Sequence, residues 1–326
     1  MRLLLNRLLK IPTITPLSLL CLILISTGSN SKAYPFSRLD IPISGHQPKH
    51  EGRMFLIAVI DSDDKIIGER CSTDLNAVTA AFEEMADWLM IDMEEPKIIS
   101  GSNFSKEAVN DAIDTWLPAQ QPGKNDIVIF YYSGHGFRLP DDASNFPRMW
   151  LKTAADQKIE STNLRMKEDV YDRIIQIGAG VNLVLSDCCN TTAAGDNVNF
   201  DNVTVPTRAK VSHKRKHTSE DSDEDDNAEK LFMPGHPFSL LVSAADKGEF
   251  AGGKAETGGF FTYYLLEGLI KCTYDGQLDA SWESILKYTD EKAAFWARSA
   301  ECPTAKHTEK GRCVQTVEFT IDHADN

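Results

Sequence analysis

Apolar residues along this chain fall into short unbroken runs that alternate with stretches of helical spacing. Arg53 to Ile60 (RMFLIAVI), Asp126 to Tyr132 (DIVIFYY), Val181 to Leu185 (VNLVL) and Phe238 to Ala244 (FSLLVSA) have strand length and little polar interruption. Such runs predict strands buried on both faces. Between them, Thr73 to Ile91 places Leu75, Val78, Ala81, Phe82, Met85 and Leu89 on one helical face. Ser105 is a suitable N-cap for a helix through Val109, Ile113 and Leu117 that Pro118 stops. Asn163 to Ile177 reads as a further helix ended by Gly178, and Gly259–Lys271 and Trp282–Ala297 as two more. Pro96–Ser100 and Met149–Leu151 are short strand candidates, and Val314–Ile321 alternates as an edge strand does. Strand and helix in alternation predict an α/β fold, a mostly parallel sheet with helices on both faces.

The pattern breaks between Thr191 and Gly235. Lys210 to His217 (KVSHKRKH) is a basic block and Ser219 to Glu229 (SEDSDEDDNAE) an acidic one, which predicts an exposed, inserted linker. The organisation expected is therefore residues 1–33, a leader at 34–52, a first part of the domain at 53–195, the linker at 196–236 and a second part at 237–326. The segment 1–33 has the layout of an export signal. Arg2, Arg7 and Lys10 precede the apolar Leu17–Ile25, and Ser31 and Ala33 are small residues before a cut after Ala33. This points to a periplasmic or secreted protein; left uncleaved, the segment would tether it to a membrane.

The 42% of hydrophobic residues suffices for a large core, and the net charge of −14 argues against nucleic acid as the partner. Export permits disulfides, and Cys302 and Cys313 flank a polar loop that a bridge would close. Cys188 and Cys189 are adjacent, which ordinary bridging geometry does not suit, so at least one has another purpose. No zinc-type spacing of Cys and His is present.

Two of the apolar strands end in reactive side chains. Asp126–Tyr132 runs into Ser133-Gly134-His135-Gly136, and Val181–Leu185 into Ser186-Asp187-Cys188-Cys189. The carboxyl ends of strands are where open α/β sheets hold their ligands. His135 precedes Cys189 by 54 residues, room for a loop, a helix and a strand. Neighbouring parallel strands would then deliver an imidazole and a thiol to one place, the pair that nucleophilic thiol catalysis needs.

YYSGHGF (Tyr131–Phe137) and LVLSDCC (Leu183–Cys189) resemble the two signatures of the caspase-like cysteine peptidases, in particular the metacaspase and bacterial caspase-domain branch. GGFFTYYLLEGL (Gly258–Leu269) resembles the helix that opens the second part of that domain, and the likeness spans Arg53 to Gly276. It implies the caspase-like fold and peptide or protein substrates. It also implies a dyad of His135 and Cys189, the thiol two residues after an Asp, with the backbone N–H groups of Gly136 and Cys189 as oxyanion hole. Cys188 becomes a packing residue. Metacaspases cut after Arg or Lys, and the resemblance assigns Cys71, Asp74 and Ser133 to the acidic pocket. Asp246 is expected as a further acid there, with Glu249 as the alternative; Asp74 is also placed to be a helix N-cap. No cofactor is required. Calcium is used by many metacaspases, but Asp141, Asp142 and Asp156 do not have the spacing of their site. Asn190-Thr191-Thr192 departs from the usual His-Ser-Gly after the nucleophile. Lys214, Arg215 and Lys216 would make the linker a site of self-cleavage. The alternatives are a caspase-fold scaffold that cuts nothing and a legumain-like peptidase of other specificity.

Overall fold

The computed structural model describes residues 51–151, 162–192, 222–300, 302, 308–309 and 311–323, all within the unit Tyr34–Asn326. The export segment, Asp156 and the basic block Lys214–Lys216 lie outside the described residues. The elements in order are β1 (Arg53–Ile60), α1 (Gly68–Leu89), β2 (Asp92–Met93), β3 (Lys97–Ser100), α2 (residues 106–119) and β4 (Ile127–Ser133). Then follow β5 (Gly136–Phe137), β6 (Arg148–Trp150), β7 (Asn163–Arg165), α3 (residues 166–177), β8 (Val181–Asp187) and α4 (Ser222–Phe232). The remainder comprises β9 (Phe238–Ser243), β10 (Gly253–Lys254), β11 (Gly258–Gly259), α5 (Phe260–Thr273), α6 (Trp282–Ala297), β12 (Thr308–Glu309), β13 (Arg312–Cys313) and β14 (Glu318–His323).

Seven strands form the main sheet in the order β14-β9-β8-β4-β1-β2, with β3 also on β1. All its pairings are parallel except that of β14 with β9. The unbroken apolar runs follow from this architecture, because successive strand residues face opposite sides and both sides are covered. In β1, Met54, Leu56, Ala58 and Ile60 face one core, with Phe82 and Met85 of α1 and Leu265 of α5. Phe55, Ile57 and Val59 face the other, with Val109 and Ile113 of α2 and Ile174 of α3. The fold is thus α/β, mostly parallel, with helices on both faces.

Several boundaries differ from the sequence reading, among them the final strand, which spans Glu318–His323 rather than Val314–Ile321. Residues 163–165 pair with β6 as a strand, so the helix expected from Asn163 starts at Met166. The first helix starts at Gly68 rather than Thr73. Within the expected linker, α4 forms from Ser222 and buries Ala228, Leu231 and Phe232 in the core. The terminators behave as their residue types require: Ser105 Oγ accepts from Ala108 N at 3.1 Å, and Gly178 ends α3 at φ +91°. Cys302 and Cys313 form a disulfide that closes the β12–β13 hairpin.

Candidate active site

β4 and β8 are parallel neighbours, and their ladder ends with Ser133 opposite Asp187. His135 and Cys189 each follow two residues later, so the register brings both to the same edge of the sheet. The two turns interlock. A Cβ on Gly136 would collide with Cys189 O and sit 2.5 Å from Cys188 Sγ, so only glycine lets the backbone approach the cysteine pair this closely. Tyr132 Oη donates to His135 O at 2.6 Å, which fixes the backbone that carries the imidazole.

His135 Nε2 lies 3.3 Å from Asp64 Oδ2, and only 13% and 14% of the two side chains are exposed. The other Asp64 oxygen accepts from Ile66 N at 2.8 Å and Ile67 N at 3.1 Å, the entry to α1. One carboxylate therefore holds the turn that leads into α1 and engages the imidazole. Asp61, Asp64 and His135 have ligand atoms within 4.8 Å of one another and are the group among the described residues that could hold a metal ion. Asp142, near the expected calcium region, is bound by Arg148 through two nitrogens, and that bond holds its carboxyl below the usual range.

The two thiols occupy different environments. Cys188 is fully buried and packs in the α2/α3 core, where burial pushes its thiol well up. Cys189 is half-buried and accepts from Ala251 N at 3.4 Å. Burial raises its thiol too, while the Ala251 N–H and Arg70 pull the other way. Without a base, the resting group is a neutral thiol at neutral pH.

Asp74 is fully buried on α1, where it is no N-cap. Its oxygens accept from Ser133 Oγ at 2.7 Å and Gly259 N at 2.8 Å. Cys71 lies one turn before it, its thiol pushed up to about 12 by burial. The carboxylate whose charge acts on Asp74 is Asp187, also fully buried, which accepts from the Thr262 N–H at 3.0 Å and hydroxyl at 2.8 Å. Burial raises both acids, and for Asp74 the neighbouring Asp187 adds to the shift. Asp246 is not brought to this pair. Its Oδ1 accepts from its neighbour Lys247 N at 2.6 Å. Glu249, the alternative, is committed to Thr316 and to Asp246 N. The second acid beside Asp74 comes from the β8 motif itself.

Sequence reasoning missed Asp187, Asp64, Arg70 and Asn190. Asp187 was visible in LVLSDCC, where it marked the spacing to the thiol. Asn190 is fully buried; its Nδ2 donates to Asn145 O at 2.7 Å and Ala245 O at 3.2 Å, and its Oδ1 accepts from Arg138. Its backbone pairs with Glu249 and Gly248. The unusual residue after Cys189 is thus the hub that joins three loops around it.

A profile of the family described as the caspase domain matches residues 68–312. Among solved structures, a Geobacter sulfurreducens protein is similar with 17% identity and a TM-score of 0.45, over 83% of this chain and 93% of that one. Caspase-1 from Spodoptera frugiperda is similar with 14% identity and a TM-score of 0.45, over 86% and 92%. No curated protein matches the chain.

Proposed function

This chain belongs to the caspase-domain family of peptidases, and from that premise we propose that it is a cysteine endopeptidase with Cys189 as nucleophile and His135 as acid–base. The observation that carries the proposal is the β4–β8 register, with Ser133 opposite Asp187. His135 takes the Cys189 proton, and the thiolate attacks the scissile carbonyl carbon. The imidazolium returns that proton to the leaving amine as the C–N bond breaks, which leaves a thioester. Water then gives a proton to His135 and attacks the thioester carbonyl; the acid product departs and the thiol is restored. Asp64, at Nε2 of His135, keeps the ring oriented and stabilises its positive charge. The N–H groups of Gly136 and Cys189 receive the oxyanion, a type of contact worth about 3 kcal/mol.

Two neighbouring carboxylates, Asp74 and Asp187, favour a substrate with Lys or Arg before the scissile bond, through charge-assisted hydrogen bonds. The same preference would make Lys214–Lys216 a self-cleavage site. Export through residues 1–33 is supported by the Cys302–Cys313 bond, a type of link that persists in oxidising compartments.

The test is a panel of fluorogenic peptides on wild type, Cys189→Ala, Cys188→Ala and His135→Ala. We expect cleavage after Arg or Lys in wild type and Cys188→Ala, and none in the other two. Activity that survives Cys189→Ala and disappears in Cys188→Ala would reassign the nucleophile. Purified wild type that cleaves basic peptides yet stays intact would remove self-cleavage alone.

A further inference from the structure

β1 and β4 end side by side, with Ile60 opposite Ser133. An acid follows just past one end and the imidazole just past the other. Asp61 N donates to Ser133 O at 3.0 Å, which carries the pairing one residue further. Gly134 lets the Asp61 side chain lie close, because a Cβ there would sit 3.2 Å from Asp61 Cβ and 2.6 Å from Tyr132 Oη. Asp64 reaches the same place from the turn before α1. Its Oδ1 is held by the Ile66 and Ile67 N–H groups, and its Oδ2 lies 3.3 Å from His135 Nε2. Trp150 N and Tyr132 Oη both donate to His135 O, at 2.9 and 2.6 Å. Backbone contacts thus fix all three residues, and their ligand atoms fall within 4.8 Å of one another.

The dyad chemistry uses only one of these acids. Asp64 orients the imidazole, and Asp61 has no part in that chemistry, yet Asp61 is only 7% exposed. Burying a carboxylate is costly unless something compensates. Asp61 has contacts of its own, but its Oδ2 is buried and accepts no hydrogen bond. With both acids ionised, the group carries excess negative charge even when the imidazole is protonated, and a divalent cation reverses that balance. An imidazole nitrogen with two carboxylates suits zinc and other transition ions, whereas calcium and magnesium take oxygen ligands. The 3.3 Å between Nε2 and Oδ2 is also the spacing of two donors on a tetrahedral zinc ion, about 3.3 Å at bond lengths of about 2.0–2.1 Å.

We propose that Asp61, Asp64 and His135 form a site for a divalent transition-metal ion of the zinc type, and that the ion silences the enzyme through its base. The site rests on the three side chains; its effect on cleavage rests on the peptidase reading given above. Metal at Nε2 takes the lone pair there, and the proton that Nε2 directs to Asp64 passes through solvent to Nδ1. An imidazole with metal on one nitrogen and a proton on the other has no lone pair left, so it cannot accept the Cys189 proton. The ion disables the dyad without binding its thiol, and chelation restores the base.

The experiment measures zinc binding by calorimetry and zinc inhibition of cleavage of a basic peptide, each protein being compared with its own rate in chelator. We expect wild type and Cys189→Ala to bind zinc with the same affinity. Asp61→Asn should bind it at least about tenfold more weakly, the scale on which even groups behind the ligands act. The zinc concentration that halves cleavage should rise by the same factor in Asp61→Asn. Cobalt(II) in wild type gives a readout that needs no variant: d–d bands without the intense charge-transfer absorption of a thiolate ligand. Affinity lost in Cys189→Ala, or a thiolate band with cobalt, would overturn the inference, because the ion would then sit on the sulfur of the dyad. Equal affinity in Asp61→Asn would do the same, as would zinc that binds through Asp61 and leaves cleavage unchanged. Should zinc bind through Asp61 while no peptide is cleaved in chelator, the metal site stands and the peptidase reading falls. Should wild type cleave basic peptides while zinc neither binds nor inhibits, the inference falls and the peptidase reading stands.

Discussion

Asp64 uses its two oxygens differently, and the difference can be tested. Asparagine at this position keeps an oxygen for the Ile66 and Ile67 N–H groups but presents no charge to His135. Asp64→Asn should therefore lower kcat about a hundredfold, within the usual range for general acid–base catalysis, with the melting temperature little changed. Asp64→Ala should add a loss of about 1 kcal/mol of stability for the lost hydrogen bonds of the turn before α1. A wild-type kcat in Asp64→Asn would leave Asp64 as a turn residue and nothing more. Asn190 makes the opposite prediction. Its removal leaves the buried Ala245 carbonyl and the Asn145 carbonyl without this donor, so Asn190→Ala should destabilise the protein by about 2 kcal/mol, read by denaturant unfolding. His135 and Cys189 were legible in the sequence because each terminates an apolar strand, and the parallel register then brings the termini together. Asp64 and Arg70 were not. They lie in polar stretches, DSDDK and GER, outside the elements that the apolar spacing predicts; their contacts are with residues about 70 and 180 positions away in the chain.

At the scale of elements, long periodic segments were legible and short or charge-masked ones were not. α6 occupies the span its apolar spacing predicts, Trp282–Ala297. β7 is three residues long and cannot display alternation before the helix that follows it. α4 hides for another reason. Its acidic first half dominates the composition, while its core contacts rest on Ala228, Leu231 and Phe232 at its end. Phe232 meets Phe82 and Trp282 edge-on at 6.4 and 5.5 Å, and Trp282 Nε1 donates to Leu231 O at 3.0 Å. Phe232→Ala should accordingly cost about 3–5 kcal/mol. A surface-like effect below about 0.5 kcal/mol would return this segment to the linker.

For the molecule as a whole, the buried acids set how stability responds to pH. Burial raises Asp74 and Asp187 above the ordinary carboxylate range, so the native protein holds protons that the unfolded chain releases. The stability these groups contribute is complete below an unfolded value of about 4 and is lost as pH rises through their raised native range. Asp142 and Asp169 are shifted the other way, so their contributions are lost only in more acid solution. The melting temperature should be a few degrees higher at pH 5.5 than at pH 8. Asp187→Asn, which cannot ionise, should flatten that slope; a melting temperature that climbs toward pH 8 in wild type would contradict the account.

The order of the sheet has one more consequence. β8 is the last strand before residues 193–221 and β9 the first after them, yet the two lie side by side, paired from Val181–Phe238 to Ser186–Ser243. Packing of α1 against α5 ties the same halves together a second time. The disulfide, Cys302–Cys313, falls wholly within the later half. A chain cut between residues 193 and 221 would therefore remain one particle on native size-exclusion chromatography while separating into two bands on a denaturing gel, with or without reductant. Scission there changes connectivity and leaves the assembly intact.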